Sequence, residues 1–144
     1  MGGTSQAGLI NRARLFISAS ADSSLQDQYI EKLQVVKGTI VDGEVITTVH
    51  DIMSHETADL DLNSCEVIGN GVRSMCAVWD DPNFIQGDEA YYYVRVIANK
   101  SCRWSHDLCI KNSEYCEDSN LNIPKFIQER AWTSPIWLEN SSDI

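Results

Sequence analysis

Long apolar runs are missing from this chain, and so is any cluster of basic residues. No stretch approaches the roughly 18 apolar residues that a membrane-spanning helix needs, so a helical anchor within this sequence is excluded. Lysine and arginine number 11 against 21 aspartates and glutamates, a formal net charge of -10, and the pI is ≈ 4.5. Such a surface repels nucleic-acid phosphates and anionic headgroups, and no Lys/Arg patch offers a footprint for either. The acidity reads first as a solubility device. No cysteine pair has the spacing of a zinc knuckle, and the three histidines include no His-x-His pair. Common zinc modules therefore find no template here. The opening residues Met1-Gly2-Gly3-Thr4-Ser5-Gln6-Ala7-Gly8 lack the basic region and apolar core of a signal peptide and read as a loop. Internal repeats, low-complexity tracts and linkers are absent as well.

What is present is strand chemistry. At 144 residues and 43% hydrophobic, the chain is long enough for one core that buries roughly 70% of its unfolded surface. Arg12 to Ala19 is a short apolar run closed by the polar Ser20-Ala21-Asp22-Ser23-Ser24. Leu25, Tyr29 and Leu33 recur at helical spacing, but the β-branched run Leu33 to Ile40 ends at Asp42-Gly43, the strongest short hairpin signal. Strand, turn and partner strand Glu44–Ile52 follow. Residues 53–73 are polar and irregular. Ser74 to Trp79 gives another strand, stopped by Asp80-Asp81-Pro82. The strongest signal is Ala90-Tyr91-Tyr92-Tyr93-Val94-Arg95-Val96-Ile97, whose alternation places Ala90, Tyr92, Val94 and Val96 on one face and Tyr91, Tyr93, Arg95 and Ile97 on the other. Gln128 to Trp137 reads as one closing strand in which Pro135, unable to donate to a ladder, marks an edge or a bulge. Six or seven short strands without a long helix predict an all-β fold, an antiparallel β-sandwich of immunoglobulin/fibronectin type with a cysteine-rich loop excursion. Residues 1–11 are expected to be loop or disordered, 12–138 to form the single domain, and 139–144 a tail.

Cys65, Cys76, Cys102, Cys109 and Cys116 all lie in the middle third. Disulfides explain them most simply, and an oxidising compartment follows. Cys65 and Cys76 bracket a glycine-containing loop whose closure would stabilise by about 3 kcal/mol. Cys102 would bridge to Cys109 or Cys116, leaving one thiol. Buried free thiols are the competing reading, and His106 between Cys102 and Cys109 keeps a zinc site among the alternatives. The excursion from Asn99 to Asn122 carries no strand pattern, with a short helical turn expected over 103–110.

Candidate sites are sparse. His50 and His55 flank Asp51 and Glu56, and with Asp59 and Asp61 form the densest group of metal-ligating types, but an irregular loop does not force convergence. Asp59, Asp61 and Asn63 start like a calcium loop, yet Ser64 and Asn70 stand where glycine and glutamate are required. Asp80, Asp81, Asp88 and Glu89 form a second acidic group. Ser105-His106-Asp107 are adjacent in sequence, which does not make a triad. No catalytic residue is assigned. Trp104, Tyr91 and Tyr93 are the candidates for an aromatic binding surface, whereas Trp79 and Trp132 are assigned to the core. Arg95 and Arg130 are expected to pair with carboxylates or stack on indoles.

A set of segments in order resembles one family over about residues 12 to 138. They include Leu33-Gln34-Val35-Val36-Lys37-Gly38, Asp61-Leu62-Asn63-Ser64-Cys65, Cys76-Ala77-Val78-Trp79, Ala90-Tyr91-Tyr92-Tyr93-Val94-Arg95-Val96, Cys102-Arg103-Trp104-Ser105 and Gln128-Glu129-Arg130-Ala131-Trp132-Thr133-Ser134-Pro135-Ile136-Trp137. The last is the most specific. These are similar to the C-terminal part of the bacterial domain-of-unknown-function 3604 family. Longer relatives resemble, in their N-terminal portion, the polymerase-and-histidinol-phosphatase (PHP) group of metal-dependent phosphoesterases. The resemblance implies a non-catalytic accessory β-sandwich of an exported hydrolase, periplasmic or extracellular, with the upstream catalytic domain as partner. The divalent metal would belong to that upstream region and no cofactor to this chain. Alternatives are a free-standing glycan- or calcium-binding module, and a small metal-dependent hydrolase built on His50, His55 and His106.

Overall fold

Asp42 and Gly43 both lie at positive φ, 53° and 82°, the backbone of a type I′ turn. They join β3 (Ile30–Val41) to β4 (Glu44–Ser54) as the Asp-Gly pair predicts. The computed structural model describes residues 2–25, 27–56, 58–116 and 123–140. Its other elements are β1 (Gly3–Gln6), β2 (Arg14–Ser20), β5 (Asp59–Asp61), β6 (Glu66–Ile68), β7 (Ser74–Asp80), β8 (Ala90–Cys102), α1 (Trp104–Lys111), β9 (Phe126–Trp132) and β10 (Ile136–Glu139). Single 3-10 turns occupy Ala7–Leu9 and Ser113–Tyr115.

The main sheet runs β1-β10-β8-β3-β4, with β9 also paired to β8. β8 is long enough to hold two partners on one edge. Its start, Ala90 to Tyr92, pairs with β10, and its remainder, Arg95 to Cys102, pairs with β9. The second layer is the antiparallel ribbon β2–β7. Leu33, Val35, Ala90, Tyr92 and Leu138 from the sheet meet Ile17 and Met75 from the ribbon to form the core. The fold is the expected all-β sandwich.

Several boundaries differ from expectation, each for a tertiary reason. The closing strand is two strands, broken at Thr133-Ser134-Pro135, where the Thr133 hydroxyl accepts from the Val94 N–H in place of a ladder carbonyl. β8 continues through the polar Asn99-Lys100-Ser101, because β9 pairs with Lys100, Ser101 and Cys102. Asn99 is buried there and its side chain accepts from the Tyr29 N–H and donates to the Asp27 carbonyl. Residues expected as an N-terminal loop contain β1, which pairs parallel with β10, and the fully buried Ala7. The irregular stretch 53–73 holds the small β5–β6 ribbon. Of the expected tail, Glu139 belongs to β10, and 141–144 lie outside the described residues.

The disulfides are Cys65–Cys102 and Cys109–Cys116. Cys65 does not pair with Cys76, which is the free, exposed thiol on the outer face of β7. The β5–β6 ribbon turns Cys65 toward the end of β8 instead.

Gly38 faces Tyr91 across β3 and β8. A Cβ there would lie 2.1 Å from the tyrosine ring, and the Tyr91 hydroxyl reaches Thr47 on β4 at 3.3 Å. The ring thus occupies the space a side chain would take. Gly38→Val is expected to cost about 1–3 kcal/mol by overpacking, read as a lowered urea midpoint. An unchanged midpoint would show that the ring is not held there.

Candidate functional site

Along β3, Leu33, Val35 and Lys37 share the inward face. A lysine in that series needs a buried partner, and the turn after β7 supplies it. Lys37 Nζ donates to Asp81 Oδ2 at 2.6 Å and to the Asn83 carbonyl at 2.9 Å. The Tyr92 hydroxyl donates to the same Asp81 oxygen at 2.8 Å, and the Asn83 N–H to Oδ1 at 2.9 Å. The Asp81 side chain is 0% exposed and that of Lys37 10%. Burial pushes the Asp81 carboxyl up, but the bonds from Lys37, Asn83 and Tyr92 outweigh it and hold the group below the usual carboxylate range. Burial, then the Asp81 carboxylate, pushes the Tyr92 phenol upward. The group is an internal tie between β3, β8 and the turn after β7, with all three side chains buried.

The outer face of the main sheet is aromatic. Tyr91 and Tyr93 lie nearly parallel, 9° apart with centroids at 6.3 Å, and Trp137 packs 5.3 Å from Tyr91. Trp132, paired with Arg95 on that face, is 59% exposed. It is therefore not a core residue: the register sets it beside Arg95, and Ala131 opposite Val96. Trp79 does pack against the core, 6.2 Å from Tyr92 and 5.1 Å from His50. Arg95 Nε donates to Gln34 Oε1 at 2.6 Å, and Gln34 in turn donates to Asp51, so Arg95 meets an amide and not a carboxylate. Trp104 does not join Tyr91 and Tyr93. It sits on α1 beyond the end of β8, roughly 35 Å along the strand from Tyr91.

Most of the acidic candidates already have partners. Asp80 pairs bidentately with Arg14, both bonds at 2.7 Å. Glu56 pairs with Lys32 at 2.7 Å. Asp61 caps its own turn by accepting from the Asn63 N–H at 2.8 Å. Ser105, His106 and Asp107 diverge: the Ser105 hydroxyl is buried without a partner, His106 faces Leu62, and Asp107 pairs with Lys111. Among the described residues, the group of metal-ligating side chains brought together is Cys65, Cys102 and His106, within 4.8 Å of one another. It is not the set of three histidines. Sequence reasoning had His106 beside Cys102 but missed Cys65, which arrives through the β5–β6 ribbon.

No curated protein and no solved structure matches the chain. The profile of a family described as protein of unknown function (DUF3604) matches residues 1–140. That match spans the main sheet, both two-stranded ribbons, both disulfides and the aromatic face, and the chain belongs to the DUF3604 family.

Proposed function

We propose that this chain is a non-catalytic accessory β-sandwich, the C-terminal part of a bacterial, exported, PHP-like metal-dependent hydrolase. The observation that carries the reading is the incomplete second layer. The β2–β7 ribbon lies over a much wider sheet, and along β2 runs an open groove of ≈ 720 Å³ between Leu15, Phe16 and Ile17 on one side and Tyr92, Val94 and Ile136 on the other. Phe16 and Val78 on the ribbon's outer face are 79% and 57% exposed. Apolar surface of this kind marks an interaction site, and an upstream catalytic domain would cover it. The catalytic metal belongs to that domain. Two disulfides fit a periplasmic or extracellular setting, and the net charge of -10 argues against a nucleic-acid partner. Joining the chain to its upstream region should raise its melting temperature by about 5 °C, roughly 2 kcal/mol for a domain of this size. No rise would remove the reading.

A glycan-binding module is the second reading, favoured by the Tyr91, Tyr93 and Trp137 rings beside the polar Gln34–Arg95 pair. It requires that a soluble polysaccharide stabilise the chain by mass action and that Trp137→Ala abolish the effect.

A further inference from the structure

We propose that Cys65, Cys102 and His106 form a zinc site when their disulfide is reduced, so that one position in the fold is closed by either of two chemistries. The two sulfurs and a ring nitrogen of His106 lie within 4.8 Å of one another, and soft thiolates with an imidazole select zinc-like cations. Three parts of the fold converge there. Cys65 ends the turn after β5, held by its own N–H on the Asp61 carbonyl at 2.8 Å. Cys102 ends β8, and His106 stands on α1.

The imidazole is anchored through one nitrogen, which leaves the other for a metal. Its Nε2 lies 2.8 Å from the Leu62 carbonyl, an atom that only accepts, so Nε2 carries the proton and the free lone pair is on Nδ1. A ligating histidine ordinarily anchors its second nitrogen on a carbonyl in this way. The cysteine Cα atoms are 5.4 Å apart. Two sulfurs on a tetrahedral zinc stand ~3.8 Å apart, a separation that side-chain rotation provides with little backbone movement. A groove of ≈ 660 Å³ lined by Cys65, Cys102, Asn99 and Asp107 opens onto the pair. Through it a reductant can enter and water can take the fourth coordination position.

The balance is simple. A small dithiol transfers two electrons and two protons to the Cys65–Cys102 bond, giving two thiols and its own cyclic disulfide. Zinc then displaces the two thiol protons to solvent. Reduction alone would free the β5–β6 ribbon from β8, whereas metal would hold it.

The test uses the full chain with Cys76, Cys109 and Cys116 replaced by serine, reduced without oxygen and given Zn²⁺ or Co²⁺ alone. One metal per chain is expected, with a thiolate-to-cobalt charge-transfer absorption. His106→Ala should weaken zinc binding by about 10- to 100-fold, and Cys65→Ser should abolish the charge-transfer band. The oxidised chain should hold no stoichiometric zinc. Absence of metal on the reduced chain overturns the proposal, as does undiminished affinity in either variant or equal binding by the oxidised form. Circular dichroism of each variant separates lost ligation from lost fold, and Cys65→Ser decides the matter should His106→Ala not fold.

Discussion

Asp81→Ala should lower the unfolding free energy by about 3–5 kcal/mol, the range for removing one partner of a buried ion pair. It leaves the Lys37 ammonium in the core with only the Asn83 carbonyl, and strips the acceptor from the Tyr92 hydroxyl. At ~3 °C per kcal/mol for a chain of this length, the melting temperature should fall by roughly 10–15 °C. Replacing the whole group by apolar residues, as in Lys37→Met, Asp81→Leu and Tyr92→Phe together, should recover most of that loss, because no charge is then left unpaired. A loss under about 1 kcal/mol for Asp81→Ala would mean that Lys37 finds solvent instead. The same carboxylate sets an acid limit. Its folded pKa is depressed, so its stabilisation is complete above the unfolded value near pH 4 and drains away as pH falls through the lower folded value. The wild-type urea midpoint should therefore drop below about pH 4, and the apolar triple variant should show a shallower drop.

Replacing Cys65 and Cys102 by serine should cost about 4 kcal/mol, the chain-entropy value for a closed loop of 37 residues. The Cys109–Cys116 bridge closes a loop of 7 and should be worth closer to ~2.5 kcal/mol. Urea unfolding of the two double-serine variants measures the difference directly. Equal losses would mean that the β5–β6 ribbon already rests on β8 in the denatured ensemble, so that the longer tether constrains nothing more. Against a usual total of about 5–15 kcal/mol, the larger loss brings the domain near its limit.

The parts of this fold legible in the sequence are those decided within a few residues. Asp42-Gly43 carries its own backbone preference, and the tyrosine run its own alternation. Lys37 is legible in retrospect, since a lysine in register with Leu33 and Val35 must meet a counter-charge, and Asp81 follows directly upon a strand that faces β3. The cysteine pairing was not legible. Cys65 and Cys76 are close in sequence, and only the turn of the β5–β6 ribbon shows that Cys65 points at Cys102. β1 escaped notice because Gly3-Thr4-Ser5-Gln6 has a single strand-favouring residue, Thr4, and no apolar alternation, and takes its conformation from pairing with β10. Trp132 misled for a related reason. Arg130 and Trp132 alternate with Glu129 and Ala131, so neither face is uniformly apolar, and pairing with β8 decides which one turns outward.

The parallel pairing of β1 with β10 has a mechanical consequence. Gly3 lies opposite Ile136 and Gln6 opposite Glu139, so a pull on the chain before Gly3 and after Glu139 draws the two strands past one another in opposite directions. The hydrogen bonds between them are then loaded together in shear and cannot be peeled one after another. Under tension the seam between the first and last strands becomes a clamp, and the rest of the sandwich feels no force until it gives way.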